Sequence, residues 1–167
     1  MPTLLSPTDN RLLAKLPGAS VARLLPHFEL IPLLCGEALL VYGAGQEYVY
    51  FPVTAVVTLH HALASGALSE VSLVGNEGVI GIPLLLNGDV TPCRAVVRTT
   101  GHAYRMSARI LTQELNRAGP ELRLLLAYAR ALVAQMERSA SCREHGTIER
   151  SACAHCANAP ACPSADN

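Results

Sequence analysis

Seven short β-prone runs lie between Phe28 and about Arg105, and turn-forming clusters rich in glycine, proline and serine separate them. In chain order the runs are FELIPL, EALLVY, YVYFPV, AVVTLHHAL, SEVSLV, RAVVRTT and HAYRM. Short strands that alternate with turn signals at regular intervals are typical of an antiparallel sandwich or barrel. We therefore predict a mainly β fold with flanking helices, in which residues 28–106 form a double-stranded β-helix jelly roll.

Helical patterns lie on both sides of this β region. Residues 1–27 contain two short amphipathic runs that follow helix-capping residues, which predicts short N-terminal helices. Residues 107–145 predict a helical hairpin, whose second helix is long and runs from about Glu121 to Arg143. Residues 146–167 form a tail rich in alanine and cysteine, which we expect to be poorly ordered.

The long helix carries apolar residues at alternating intervals of four and three. These residues are Leu125, Ala129, Leu132 and Met136. Such alternation is typical of a coiled-coil seam, so we expect these four side chains to form a dimer interface. A second apolar stripe, adjacent to the first, comprises Leu122, Leu126 and Val133. The alternative is a helix that packs wholly on its own domain.

The stretch from Val71 to Arg98 reads as an insertion within the β framework. A turn at residues 75–78 breaks an apolar run, a helix-prone segment follows, and a new strand opens at Arg94. Glycines on both sides allow a close backbone approach to another group, so we predict a ligand pocket here. The candidate ligand-binding residues are Val79, Ile80, Gly81, Ile82, Leu84, Cys93 and Arg94. The alternative is a plain turn followed by a core helix.

Composition and charge limit the possible classes of function. The 167 residues suit one domain, and thirteen basic residues balance thirteen acidic ones, so net charge provides no argument for binding nucleic acid or an anionic membrane. Apolar runs end well before the roughly 18 residues that a membrane span needs. The first ten residues lack the features of a signal peptide. We expect a cytoplasmic protein without a membrane partner.

The cysteine-rich end suggests a metal site as an alternative. Cys153 and Cys156 have the spacing that lets two thiolates share a metal ion, and Cys142 and Cys162 would complete four ligands. Reduced cysteines without a metal are the simpler interpretation. No serine–histidine–aspartate or paired-carboxylate arrangement stands out, so we do not expect an enzyme.

Four phrases of the sequence carry a resemblance to a known family. They are YVYFPVTAVVTL, EVSLVGNEGVIGI, TPCRAVVRTTGHAYRM and QMERSASCREH. Together they resemble the sensor half of Crp/Fnr-type transcription regulators, the cyclic-nucleotide-binding-like domain, from about Asn10 to Cys153. The resemblance implies a jelly roll, a pocket between the insertion and the long helix, a small-molecule effector and dimerisation through that helix.

Two positions depart from the pattern of the relatives that bind cyclic AMP. Where those relatives have a Gly-Glu pair that holds the ribose, this chain has Gly81-Ile82. Where they have Arg-Ser or Arg-Thr, which holds the cyclic phosphate, this chain has Cys93-Arg94. A shift of one residue in a strand turns a side chain to the opposite face. We therefore do not expect cyclic AMP to bind in the usual way, and the cofactor or effector stays unknown.

Relatives continue beyond the long helix into a helix-turn-helix domain, whereas this chain ends in the tail SACAHCANAPACPSADN. Such a tail suits either a truncated regulator or a single-domain sensor, and direct DNA binding is not expected. We predict a ligand-sensing domain of Crp/Fnr type, truncated before the DNA-binding domain and acting as a homodimer or as a heterodimer with a full-length relative. The alternative is a metal- or redox-sensing regulatory protein that uses the tail cysteines.

Overall fold

The computed structural model describes residues 4–62, 65–85 and 93–144. The strands are β1 (Glu29–Leu33), β2 (Ala38–Leu40), β3 (Tyr48–Pro52), β4 (Val56–Ala62), β5 (Leu68–Val74), β6 (Arg94–Thr99) and β7 (Gly101–Ser107). The helices are α1 (Gly18–Leu24), α2 (Ile82–Leu85), α3 (Ala108–Leu115) and α4 (Pro120–Glu144), and three short 3-10 turns are Pro7–Asp9, Leu13–Lys15 and Leu25–His27. Cys153, Cys156, Cys162 and the tail to which they belong lie outside the described residues, as does the side chain of Cys142.

The strands form two antiparallel sheets that share one apolar interior. One sheet has the order β1-β7-β3 and the other has the order β2-β6-β4-β5. The interior, called the inner cluster below, consists of Leu33, Leu40, Ala55, Val57, Leu59, Val74, Ile80, Ala95, Val97 and Ala103. Alternate residues of β6 enter this cluster, because successive side chains of a strand point to opposite faces. The prediction of a mainly β fold with flanking helices is confirmed.

A layer of helices covers the outer face of the β1-β7-β3 sheet. The buried residues between them, called the helical-layer cluster below, are Leu12, Leu13, Leu24, Val49, Phe51, Val53, Val79, Ile82, Tyr104, Met106, Ala108, Leu111 and Leu115. Phe28 contacts the Phe51 ring edge-on, with centroids 5.6 Å apart, and the Tyr104 ring at 5.9 Å. The two clusters therefore lie on opposite faces of one sheet.

Asn10 connects the N-terminal segment to two distant parts of the fold. Its side chain is fully buried, and its Nδ2 donates to the carbonyl oxygens of Pro52 (2.8 Å) and Gly78 (2.9 Å). Its Oδ1 accepts hydrogen bonds from the backbone N–H groups of Leu12 and Leu13. Since buried polar groups are stable only when they are hydrogen-bonded, this one side chain holds the 75–78 turn against the end of β3.

An ion pair attaches α1 to the start of α4. The Glu121 side chain is 3 % exposed, and its Oε1 lies 2.7 Å from Arg23 Nη2. Arg23 also reaches Glu114 Oε2 at 3.3 Å, so one guanidinium joins α1, α3 and α4. Among the described residues, no helix is long and apolar enough to cross a membrane.

Candidate functional site

The predicted insertion begins with a tight turn at residues 75–78. The Gly78 N–H donates to the Gly75 carbonyl (3.2 Å), and the Glu77 carboxylate accepts a hydrogen bond from the Gly75 N–H (3.0 Å). The Asn76 carbonyl accepts a hydrogen bond from the Arg11 N–H at 2.7 Å. The turn is therefore stabilised by a hydrogen bond to its own carboxylate and by a hydrogen bond from the N-terminal segment.

The segment after the turn passes between the two clusters instead of continuing as a strand. Ile80 forms a single antiparallel bridge with Tyr50, through backbone hydrogen bonds of 2.8 and 3.0 Å. Ile80 enters the inner cluster, whereas Val79 and Ile82 enter the helical-layer cluster. The helix-prone segment predicted after the turn forms α2, which begins at Ile82. The backbone turns at Gly81, whose φ of +110° is incompatible with a regular strand.

Gly81 is favoured by its conformation, and side chains also pack closely on it. A Cβ at this position would lie 2.6 Å from Gln46 Nε2 and 3.0 Å from Val49 Cγ1. A positive φ is also costly for any residue that has a Cβ atom. The segment between β2 and β3 therefore packs directly on the backbone of the insertion at Gly81.

Gly78 is the point where the insertion meets the long helix. A Cβ at Gly78 would lie 2.7 Å from Tyr128 Cζ and 2.8 Å from Val74 Cγ1. Burial raises the pKa of the Tyr128 hydroxyl, although a hydrogen bond with the Val79 backbone acts in the opposite direction. The hydroxyl of this α4 residue is thus neutral at physiological pH, and it contacts the insertion.

The structure separates Cys93 from Arg94. Cys93 is half-buried against the inner cluster, and burial raises the pKa of its thiol, which keeps it protonated at neutral pH. Arg94 is exposed and lies opposite His60 of β4 in the register of the sheet. The next residue, Ala95, is fully buried. The guanidinium therefore belongs to the outer face of the β2-β6-β4-β5 sheet.

The predicted site residues divide between several environments. Ile80 and Cys93 contact the interior of the roll, Gly81 lies under Gln46, and Val79 and Ile82 belong to the core of the helical layer. The side chain of Leu84 lies outside the described residues. Tyr128, Asn10 and Gln46 were not predicted, because their importance depends on contacts with residues far away in the sequence.

The four residues predicted for the dimer interface all contact their own domain. Leu125, Ala129 and Leu132 pack against the helical-layer cluster, and Leu132 and Met136 pack against the inner cluster. The second apolar stripe is more open to solvent, since Leu126 is 45 % exposed and Val133 is 53 % exposed. Leu122, the third member of that stripe, packs against the helical-layer cluster, so only Leu126 and Val133 of the stripe are left exposed by the domain.

Comparisons with known proteins identify the fold. No protein-family model and no curated protein matches the chain. A cyclic nucleotide-binding domain from Methylobacillus flagellatus matches with a TM-score of 0.66 and 16% identity, over 84% of this chain and 83% of that one. The fold is that of a cyclic-nucleotide-binding domain.

Two larger solved proteins contain the same fold. The catabolite activator protein of Thermus thermophilus matches with a TM-score of 0.59 and 19% identity, over 80% of this chain and 61% of that one. A regulatory subunit of a cAMP-independent protein kinase A from Trypanosoma cruzi, bound to guanosine, matches with a TM-score of 0.66 and 19% identity. The match covers 83% of this chain and 47% of that one. This chain thus spans about half to two thirds of the length of these two solved chains.

Proposed function

We propose that this chain is the ligand-sensing domain of a Crp/Fnr-type transcription regulator, acting in the cytoplasm through its long helix and not as an enzyme. The cyclic-nucleotide-binding fold supports the sensing role. The observation that carries the proposal is the contact between Tyr128 and the insertion at Gly78 and Val79. This contact connects the insertion, which would bind the ligand, to α4, which would bind a partner.

The contact transmits movement because it is closely packed. Tyr128 leaves no room for a Cβ at Gly78, so a shift of the 75–78 turn toward α4 must displace either the ring or the helix that carries it. Packed interiors respond to such shifts by moving between discrete arrangements and not by gradual compression. A ligand that repositions the insertion would therefore reposition α4.

The effector that we propose differs from cyclic AMP. Arg94 is exposed on the outer face of its sheet, and Ile82 is buried in the helical-layer cluster, so neither offers a charge-assisted hydrogen bond to a cyclic phosphate or a ribose. The solved neighbour that is described as cAMP-independent and bound to guanosine supports a ligand outside the cyclic nucleotides.

The output that we propose is dimerisation through α4, as a homodimer or with a full-length relative. Leu126 and Val133, seven residues apart, are the exposed large apolar side chains in the described part of α4. Seven-residue spacing of apolar side chains suits a helix pair. The balanced net charge supports an action through protein contacts instead of direct DNA binding.

The experiment that tests the proposal combines thermal melting with hydrogen exchange. Cyclic AMP, cyclic GMP, cyclic di-GMP and guanosine are each titrated, and a ligand at a hundredfold excess over its Kd should stabilise the folded state by about 2.7 kcal/mol. We expect cyclic AMP to leave Tm unchanged. A compound that raises Tm should also change exchange protection in α4, and Tyr128→Phe should keep the binding but lose that change.

Two results would contradict this proposal. A Tm increase with cyclic AMP that Arg94→Ala removes would show that the cyclic phosphate is recognised after all. A bound compound that leaves α4 protection unchanged would show that the insertion and the helix are not coupled.

A further inference from the structure

The turn between β1 and β2 contains a cysteine that forms a disulfide bond. This residue is Cys35, whereas Cys93 is a free thiol. The other cysteines of the sequence, called the C-terminal cysteines below, are Cys142, Cys153, Cys156 and Cys162. Their side chains lie outside the described residues. Within one chain, elimination of Cys93 leaves this group as the source of the second sulfur.

Hydrogen bonds fix the position of Cys35 in the fold. Its N–H donates to Thr100 Oγ1 (3.0 Å), and its Sγ lies 3.2 Å from the carbonyl oxygen of Arg98. The next residue, Gly36, has a φ of +87° and donates its N–H to the Val97 carbonyl oxygen at 2.8 Å. These contacts all reach the last residues of β6 and the turn after it. The sulfur of Cys35 is therefore held beside the β6–β7 turn.

Cys35 and Cys93 differ in their suitability for thiol–disulfide exchange. Cys35 lies in an exposed turn, since Leu34 is 63 % exposed and Gly36 is exposed as well. Cys93 packs against the inner cluster, and burial raises the pKa of its thiol. Exchange proceeds through the thiolate and needs access for the reagent. Cys93 therefore serves as a matched control for Cys35.

We propose that Cys35 and one of the C-terminal cysteines form a reversible disulfide, which makes the protein sensitive to the thiol redox state. Disulfides in the cytoplasm are usually transient and serve catalysis or redox sensing. The role as a switch thus rests on the cytoplasmic location in the proposed function. A small disulfide such as oxidised glutathione supplies the oxidant. Its S–S bond breaks, the protein S–S bond forms, and two protons and two electrons pass from the protein thiols to two glutathione molecules.

The bond would connect the roll to the C-terminal end of α4. Cys142 belongs to the last turns of α4, and the other C-terminal cysteines follow that helix in the sequence. Cys35 belongs to the roll, so closing the bond restricts the end of α4 relative to the sheets. The oxidised form would hold this end of α4 in place, and the reduced form would leave it able to respond to a ligand.

Peptide mapping of the full chain without reductant tests the bond. The protein is equilibrated with oxidised glutathione, free thiols are alkylated, and the chain is cleaved after glutamate. Cys35 then falls in fragment 30–37 and Cys93 in fragment 78–114, while the C-terminal cysteines fall in fragments 138–144 and 150–167. We expect fragment 30–37 joined to one of the last two, with a mass two hydrogen atoms below their sum. Dithiothreitol should separate the pair.

Three mapping results would overturn the proposal. The first is fragment 30–37 with an alkylated cysteine, and the second is fragment 30–37 joined to fragment 78–114. The third is a chain that migrates at twice its mass on a denaturing gel until it is reduced, because the bond would then join two molecules.

Hydrogen exchange tests the consequence for α4. We expect amides in the last turns of α4 to exchange at least about tenfold more slowly in the oxidised form than in the reduced form. Cys35→Ser should exchange as the reduced parent does under both conditions, and Cys93→Ser should respond to oxidation as the parent does. Equal exchange in the two forms of the parent would overturn the switch, as would a redox response that persists in Cys35→Ser.

This proposal and the proposed function can fail separately. Redox-dependent protection of α4 that no ligand alters in the reduced form would keep the switch and overturn the sensing function. A ligand that changes α4 protection equally in the oxidised and reduced forms would keep the sensing function and overturn the switch.

Discussion

At the scale of single residues, two glycines determine how the insertion packs. Gly81 has a φ of +110° and lies under Gln46, while Gly78 lies under the ring of Tyr128. In each case the missing Cβ lets another element touch the backbone directly. Asn10 has a complementary role, because its four hydrogen bonds occupy polar groups that the packing would otherwise leave unpaired.

Gly78→Ala should destabilise the fold. The new methyl would overlap Tyr128 Cζ and Val74 Cγ1, and overpacking of this kind costs about 1–3 kcal/mol. The measurement is the free energy of unfolding in urea. The control is Gly18→Ala, since the exposed Gly18 of α1 has nothing within 4 Å of an added Cβ, and this change should be neutral or stabilising by up to about 1 kcal/mol. Equal effects at the two positions would contradict the packing described here.

At the scale of elements, the start of α4 depends on a buried carboxylate. Burial raises the pKa of Glu121, but a hydrogen bond from Ser20, the backbone at the helix start and the charge of Arg23 outweigh it and lower the pKa below the ordinary value of 4.5. A negative group is also favoured in the first turn of a helix. The folded state therefore prefers the ionised form.

The stability that Glu121 supplies should depend on pH. Because the folded-state pKa lies below the unfolded-state value, this contribution is fully present above about pH 4.5 and is lost as the pH falls through the folded pKa. The measurement is the free energy of unfolding of the parent minus that of Glu121→Gln, from pH 7 downward. We expect the difference to shrink below pH 4.5. Glu47→Gln makes the same substitution at an exposed position and is the control for the substitution itself.

At the scale of the whole molecule, α4 has one face against its own domain and one apolar stripe in solvent. Leu125, Ala129 and Leu132 stabilise the domain, so the predicted seam is partly used before a partner arrives. The neighbouring stripe of Leu126 and Val133 remains open. A partner would therefore meet the edge of the predicted seam instead of its centre.

The double variant Leu126→Glu/Val133→Glu should be monomeric, whereas the parent should be a dimer. Charges placed at an apolar helix–helix contact would lose hydration and repel each other across the interface. Light scattering after size-exclusion chromatography gives the mass of each species. The matched variant Ala127→Glu/Ala131→Glu adds the same charge to the helix away from this stripe and should stay dimeric. A monomeric parent would contradict the proposal that the protein dimerises through α4.

The sequence by itself determined the succession of short strands, the glycine-marked turn and the long C-terminal helix. These features depend on local patterns: period-two alternation, turn residues and helical periodicity, which act over a few residues. The one-residue offset at Cys93-Arg94 was also readable, because alternation along a strand decides which of two neighbours is buried.

Only the tertiary structure decided which of these features meet. The contacts of Tyr128 with Gly78, of Asn10 with Pro52 and of Gln46 with Gly81 each join segments that are distant in sequence, and no local pattern marks them. Ile82 illustrates the same limit: its apolar character was visible, but only the turn at Gly81 sends it into the helical layer instead of the pocket. Side-chain direction at such a turn depends on packing between residues that are distant in sequence. That packing is determined by many residues together, so no single position predicts it.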